Sequence, residues 1–227
     1  MTIQKFPNGT VLDHIAWAVP DTVAGCEQLA DMTGVRPHLM DRPEPGAYYW
    51  SGGLNLGDGQ LLEVIGPNPD FDGFHPLLAL LRAIGEPRLL FWYVHVDDLE
   101  GLAVLARAAG RPLTPIEHVE PEDPTYSAYK RCSLSGPIDP VVPNLISWSR
   151  RRQEFTGGST GATLTAFRPA HPEADQINSL FATLGIDQAV GHAPEPTLEL
   201  ELSTPRGSVV LLGVGNLASG FVLPAGN

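Results

Sequence analysis

The chain is poor in the residues that mark several protein classes. Only two of its 227 residues are cysteine, Cys26 and Cys132. They form neither a CxxC pair nor a disulfide-dense pattern, so a reducing compartment is the simplest setting. Basic residues are also scarce: 14 Lys and Arg against 26 Asp and Glu leave a formal net charge of -12. Such a field repels phosphate backbones and anionic headgroups, which argues against nucleic acid and membrane surfaces as partners. The one basic run, Arg150-Arg151-Arg152, reads as a solvated linker edge. No stretch approaches the ~18 apolar residues of a membrane helix, and the opening MTIQKFPNGT lacks the apolar core of a signal peptide. A cytoplasmic protein is expected. Glycine-rich phosphate loops, a Walker sequence and a G-x-S-x-G elbow are missing too, which removes the common nucleotide and serine-hydrolase signatures.

What remains is a chain with 43% hydrophobic and 18% charged residues, the balance of a globular protein, and long enough to bury a core. Its 24 glycines and 22 prolines promise many turns. Three segments share one grammar: LDHIAWAVPDTVAGCEQLADMTGV, LLFWYVHVDDLEGLAVLARAAGR and LTAFRPAHPEADQINSLFATLGI. Each opens on a strand-like apolar run, passes a Pro/Asp punctuation, and continues with helical periodicity to a glycine. Those glycines, Gly34, Gly110 and Gly185, lie 76 and 75 residues apart, as duplicated units would place them.

In the first unit Asp21 is positioned to cap a helix whose apolar face would hold Val23, Leu29 and Ala30, with Gly34 closing it. VRPHLM, AYYWSGGLNL and QLLEVIG then read as strands, the last two joined by a turn at Gly57-Asp58-Gly59. The second unit offers RLLFWYVHV, a helix from Leu99 to Ala109, a poorly patterned proline-rich stretch, and strands in SAYKRCSL and PNLISWS. The third has a helix expected to open at Pro172 and a hairpin in TLELELSTPRGSVVLLGV. FDGFHPLLALLRAIG adds a helix between the first two units.

Two titratable groups sit where a core is expected. His14 lies inside LDHIAWAVPD, and Glu63 inside QLLEVIGPNP, where alternation sets it with Leu61 and Ile65 on the face opposite Leu62 and Val64. If that face met solvent, Glu63 would be an ordinary surface carboxylate. If it is buried, the carboxylate must pair, bind a cation or hold a proton. His14 faces the same alternative between a structural hydrogen bond and a ligand role.

The βαβββ order, with LDHIAWAVPD first, LLEVIGPNP fourth and a later PNLISW, resembles the glyoxalase-like branch of the vicinal oxygen chelate superfamily. That resemblance implies an α+β fold in which residues 1–155 form two paired βαβββ modules, 1–70 and 85–150, curved into a half-open, barrel-like sheet. Residues 160–227 would form a third, more divergent unit. It also implies a small-molecule enzyme of lyase, isomerase or dioxygenase type. In such an enzyme a divalent ion (zinc, iron, manganese or nickel) would polarise vicinal oxygens, with His14 and Glu63 as metal ligands and Glu63 as the catalytic carboxylate. The alternative is a metal-free small-molecule binding protein of the bleomycin-resistance type.

Matching VHVDD to WAVPD puts Phe91 where a second ligating histidine is expected, and LISW puts Ile146 or Ser147 where a second carboxylate is expected. His95, on the same strand face as Phe91, becomes the candidate third ligand. Trp50, Trp92 and Trp148 are candidate pocket walls, with plain core packing as the alternative for each ring. His118 and His171 read as surface residues, while His38, His75 and His192 fall in turn-like surroundings. Pairing of two chains into a homodimer is left open.

Overall fold

The structure, a computed structural model, describes residues 11–41, 43, 46–57, 59–111, 113–120, 127–134, 139–149 and 161–214. The triple-arginine run and Asp58 lie outside the described residues. No helix among them is long and apolar enough to cross a membrane.

Unit one runs β1 (Val11–Ala18), α1 (Thr22–Thr33), β2 (His38–Leu39), β3 (Tyr49–Gly57) and β4 (Gln60–Pro67). Helix α2 (Pro76–Ala83) follows, and unit two repeats the order as β5 (Arg88–His95), α3 (Leu99–Ala108), β6 (Glu117–Val119), β7 (Tyr129–Ser133) and β8 (Asn144–Trp148). The helix ends obey the chemistry read from the sequence. Asp21 accepts from Ala24 N–H at 2.8 Å, and Gly34 and Gly185 close their helices at φ 75 and φ 70. Helix α1 is turned slightly from the expected face: Gly25, Cys26, Leu29 and Thr33 are buried, and Val23 is exposed.

The two units form one eight-stranded sheet in the order β2-β3-β4-β1-β5-β8-β7-β6. Within each unit the first strand pairs parallel with the fourth, and the units join where β1 meets β5 antiparallel. The sheet is curved and half open, the architecture implied by the sequence resemblance. Its two faces hold different things. Ile15, Trp17, Leu62, Val64, Trp92 and Val94 belong to the main core, together with buried residues of α1 and α3. Ala16, Ala18, Ile65 and Leu90 point the other way and meet Leu80, Leu81 and Ile84 of α2. Helix α2 therefore roofs one end of the inner face.

The third unit has the same element order, β9 (Thr163–His171), α4 (Ala174–Leu184), β10 (Gly191–His192), β11 (Thr197–Thr204) and β12 (Gly207–Val214). Its pairing differs, however, with the order β10-β9-β11-β12 placing the first strand inside the sheet. Helix α4 begins at Ala174, two residues after the expected Pro172. In TLELEL the period-two pattern buries Leu198, Leu200 and Leu202, while Arg168 pairs with Glu199 and Glu201 on the outer face at 2.5 and 2.8 Å. The inner face is continuous with the main core: Phe167 and Phe181 meet Trp92 edge-on, ring centroids 5.1 and 6.1 Å away. The backbone of β12 runs so close to β5 that a Cβ at Gly213 would lie 2.2 Å from Leu89 O.

Both cysteines are free and buried. Burial pushes the Cys26 thiol up to about 11 and the Cys132 thiol to about 12, which marks them as packing residues and not nucleophiles.

Candidate functional site

A single irregularity in β1 creates the site. Leu12 opposes Val94 and His14 opposes Tyr93, so the register of β1 against β5 steps over Asp13. It is the extra residue of a β-bulge. A bulge breaks the alternation and re-aims a side chain, and here Asp13 ends up beside His14. The carboxylate accepts from His14 Nδ1 at 2.6 Å through Oδ1 and from Trp148 Nε1 at 3.0 Å through Oδ2. An ionised carboxylate can only accept, so Nδ1 carries the proton and Nε2 is the ring nitrogen presented to the inner face.

Glu63 meets that second nitrogen. On β4 it is the register partner of Ala16, two residues on from His14, and its Oε2 lies 3.4 Å from His14 Nε2. His14 and Glu63 are 5% and 6% exposed, so both titratable groups are inside, which answers the question left by the sequence. Tyr93 stacks on the imidazole at 4.3 Å, with ring planes 19° apart. The order across the site is Trp148, Asp13, His14, Glu63.

The surrounding wall is aromatic. Tyr129 of β7 packs on Trp148 at 4.8 Å, and Phe91 meets Tyr93 edge-on at 5.8 Å. Burial raises the Tyr49, Tyr93 and Tyr48 phenols, and the nearby Glu63 charge adds to each. These phenols therefore stay neutral and act as hydrogen-bonding groups. Arg131 of β7 brings a guanidinium to the same face. Burial opposes its charge, but the neighbouring Tyr93, Tyr48 and Tyr129 oxygens and the Glu117 carboxylate outweigh that and push it up.

A model of the glyoxalase-like domain matches residues 12–185. The chain belongs to the glyoxalase-like domain family. Two solved structures agree on the fold. A hypothetical protein from Staphylococcus aureus aligns over 89% of this chain and 84% of its own, with TM-score 0.57 and 9% identity. A mutant 4-hydroxymandelate synthase from Streptomyces coelicolor aligns over 93% of this chain and 65% of its own, with TM-score 0.51 and 13% identity. Methylmalonyl-CoA epimerase from Mycobacterium tuberculosis aligns over 65% and 91%, with TM-score 0.44 and 16% identity. Comparison with curated proteins gives no match.

As a glyoxalase-like protein the chain carries a one-sided site. The register of β1 and β5 has a second bulge, at Leu90, where Ala16 opposes Phe91 and Trp17 opposes Leu89. Setting VPD, 19–21, on VDD, 96–98, places Asp13 on Leu90 and His14 on Phe91. Glu63 pairs with Ala16 as Asn144 pairs with Tyr93, which is the counterpart of Ala16. The equivalent of Glu63 is therefore Asn144, and not Ile146 or Ser147 as the spacing of LISW suggested. Asn144 Oδ1 accepts from the Ser133 hydroxyl at 2.5 Å. Asp, His and Glu in unit one thus become Leu, Phe and Asn in unit two.

The other sequence-derived candidates divide clearly. His95 shares the inner face with Phe91 and Tyr93, but its Nε2 lies 3.3 Å from Asp97 and it does not join His14 and Glu63. Among the described residues no group of three His, Cys, Asp or Glu could hold a metal ion. Of the three tryptophans only Trp148 reaches the site. Trp92 is fully buried on the opposite face, donating to Val141 O at 2.9 Å, because alternation from Phe91 and Tyr93 turns it toward the third unit. Trp50 alternates with Tyr49 onto the α1 side and donates to Met40 O at 2.9 Å. His171, expected at the surface, is 12% exposed and lies 3.3 Å from Asp139. Asp13 and Arg131 went unnoticed in the sequence, whereas Tyr93 stood among the strand aromatics that could line a pocket. Of the two that were missed, only Asp13 left a trace there, as a second titratable residue in an apolar run.

Proposed function

We propose that this glyoxalase-like chain is a small-molecule enzyme of isomerase or lyase type that moves a proton at a carbon next to a substrate oxygen. The observation that carries the reading is the buried line Asp13, His14, Glu63, with contacts of 2.6 and 3.4 Å, inside a half-open aromatic cup. Glu63 takes the proton from a carbon beside a carbonyl, the C–H electron pair becomes a double bond to the carbonyl carbon, and the C=O π pair moves onto the oxygen as an enolate. His14, held by Asp13 at Nδ1, uses Nε2 to pass the proton on. Returning it to the same carbon from the other side, or to the neighbouring carbon, is isomerisation. Losing a group from the next carbon is elimination. Phe91, Tyr93 and the α2 roof keep water from the enolate, and the neutral phenols can donate to its oxygen.

A second reading is metal-dependent. The 3.4 Å gap between His14 Nε2 and Glu63 Oε2 is the edge that two donors at about 2.1 Å would span on a tetrahedral ion. A divalent ion there would polarise two neighbouring substrate oxygens as a Lewis acid. Catalytic zinc sites draw three ligands from the protein, and the described residues bring two together. The donor set is one short, so no step is assigned to an ion.

One experiment separates the readings. Wild type, Glu63→Gln and His14→Asn are incubated in D2O with small carbonyl acids, with and without chelator, and deuterium entry is followed by proton NMR. Calorimetry with zinc, manganese and nickel runs alongside. The proton-transfer reading expects exchange that survives chelation and falls about 100-fold or more in both variants. Exchange abolished by chelator, with stoichiometric metal binding lost in both variants, supports the metal instead. No exchange and no metal binding removes both and leaves a binding cup of the sequestering type.

A further inference from the structure

Among the described residues Arg131 is a cationic side chain that the register brings to the inner face beside the aromatic wall of the reacting pair, and the proton-transfer chemistry gives it no task. Its partners place it precisely. On β7 it opposes Ile146 of β8, flanked by Tyr129 opposite Trp148 and Ser133 opposite Asn144. Trp148 reaches Asp13 and Asn144 is the counterpart of Glu63, so this row of β7 looks into the cup. Cys132, between them, is buried in the main core on the other face.

The Arg131 side chain is 27% exposed, and its guanidinium carbon sits 6.0 Å from the centroid of the Tyr129 ring. Glu117, 60% exposed at the rim, accepts from Nε at 2.8 Å, and the Tyr48 hydroxyl is a further hydrogen-bond partner. Guanidinium has five N–H donors in a fixed fork, so Glu117 occupies one corner and leaves the group's planar edge for a second carboxylate. Tyr93 links the two ends of the cup: it stacks on His14 and lies within electrostatic reach of both Arg131 and Glu63.

We propose that Arg131 is the anchor for a carboxylate on the substrate, so that the enzyme acts on small organic acids. The acid group grips the guanidinium edge, the flat body lies along Tyr93 and Phe91, and the carbon that loses its proton faces Glu63. The charge pattern favours this polarity. The chain carries -12 overall and Asp13 and Glu63 make the far end acidic, so an anionic group is favoured at the Arg131 end of the cup. Glu63 on β4 and Arg131 on β7 are four strand spacings apart, about 19 Å along the sheet, and the two inward side chains of a curved cup shorten the span that the substrate has to bridge. The inference rests on the proton-transfer reading for the orientation of the substrate but not for the anchor itself.

The test uses carboxylates and their neutral amides as probes: benzoate against benzamide, phenylacetate against phenylacetamide, pyruvate against pyruvamide. Binding is followed by ligand-observed NMR and by Trp148 fluorescence on the full chain. Wild type is expected to bind at least one acid and to bind its amide at least about tenfold more weakly, ~1.4 kcal/mol. Arg131→Gln should erase the difference between acid and amide, and Arg131→Lys, which keeps the charge but not the fork, should fall between. Glu117→Gln should keep or strengthen acid binding. Glu63→Gln and His14→Asn should keep the preference for acid over amide, so loss of the reaction and loss of the anchor are told apart. Acid and amide binding alike in wild type, or an acid preference that persists in folded Arg131→Gln, overturns the proposal. So does a wild type that binds none of the acids.

Discussion

At the residue scale the site turns on Asp13. His14 and Glu63 were visible in the sequence because a titratable group in an apolar run has to be accounted for energetically. Asp13 was not, because strict alternation sends neighbours to opposite faces, and a bulge is a property of strand pairing that no local pattern spells out. The same blindness misplaced the counterpart of Glu63: LISW offers Ile146 and Ser147 by spacing, and only the register against Tyr93 reveals Asn144. The role of Asp13 is to position His14, and it can be checked without a substrate. Asp13→Asn keeps the shape but has one oxygen to accept from two N–H groups, Nδ1 of His14 and Nε1 of Trp148. The imidazole 15N spectrum is expected to show His14 protonated at Nδ1 in wild type and a mixture of tautomers in the variant. Deuterium exchange should fall about 10- to 100-fold, the usual effect of losing the group that orients a working histidine. Trp148→Phe, which leaves Oδ1 on His14, should cost less. An unchanged tautomer in Asp13→Asn would reduce the contact to packing.

At the element scale the repeated helices were legible, with Asp caps at Asp21 and Asp98 and glycine stops at Gly34 and Gly185 as local chemistry, but α4 starts past the expected Pro172, at Ala174, without a side-chain cap. The roof helix α2 was legible as a helix, but its cap was not. His75 accepts from Leu77 N–H at 3.2 Å through Nδ1 and stacks on Tyr48 at 3.5 Å. Burial, with the Arg131 charge nearby, lowers its pKa from the ordinary 6.5, so the folded protein favours the neutral ring that can accept. The unfolded chain takes up a proton near 6.5 and the folded one only at lower pH. The cap therefore contributes its full stability above 6.5 and loses it as pH falls through the depressed folded value. Hydrogen exchange of α2 amides is expected to quicken relative to the other helices as pH drops below about 6. His75→Asn, whose amide oxygen caps without titrating, should remove that pH dependence. If α2 protection is flat with pH in wild type, the ring does not serve as the cap.

At the scale of the whole molecule, the order of elements in the third unit was readable and its pairing was not. Three copies of one grammar suggest three copies of one sheet. Yet β9 lies inside its sheet, between β10 and β11, where β1 reaches out to join β5. The edge that would pair into a third cup is thus consumed within the unit, and its apolar face packs on the back of the large sheet. Trp92 shows the consequence: expected in the cup, it is the ring that Phe167 and Phe181 clamp from behind. One continuous core then implies one cooperative transition. Phe181→Ala should lower stability by about 3–5 kcal/mol, the range for deleting a buried aromatic side chain. Urea unfolding followed by far-UV circular dichroism and by tryptophan fluorescence should move to lower denaturant together. Wild-type curves that separate into two transitions, with only one displaced by the substitution, would show the third unit folding independently. The site would then owe it nothing. Coincident curves would mean that the strand carrying Phe91, Tyr93 and His95 is held from behind by residues some 75 positions further along the chain, and that mutations there reach the cup through β5.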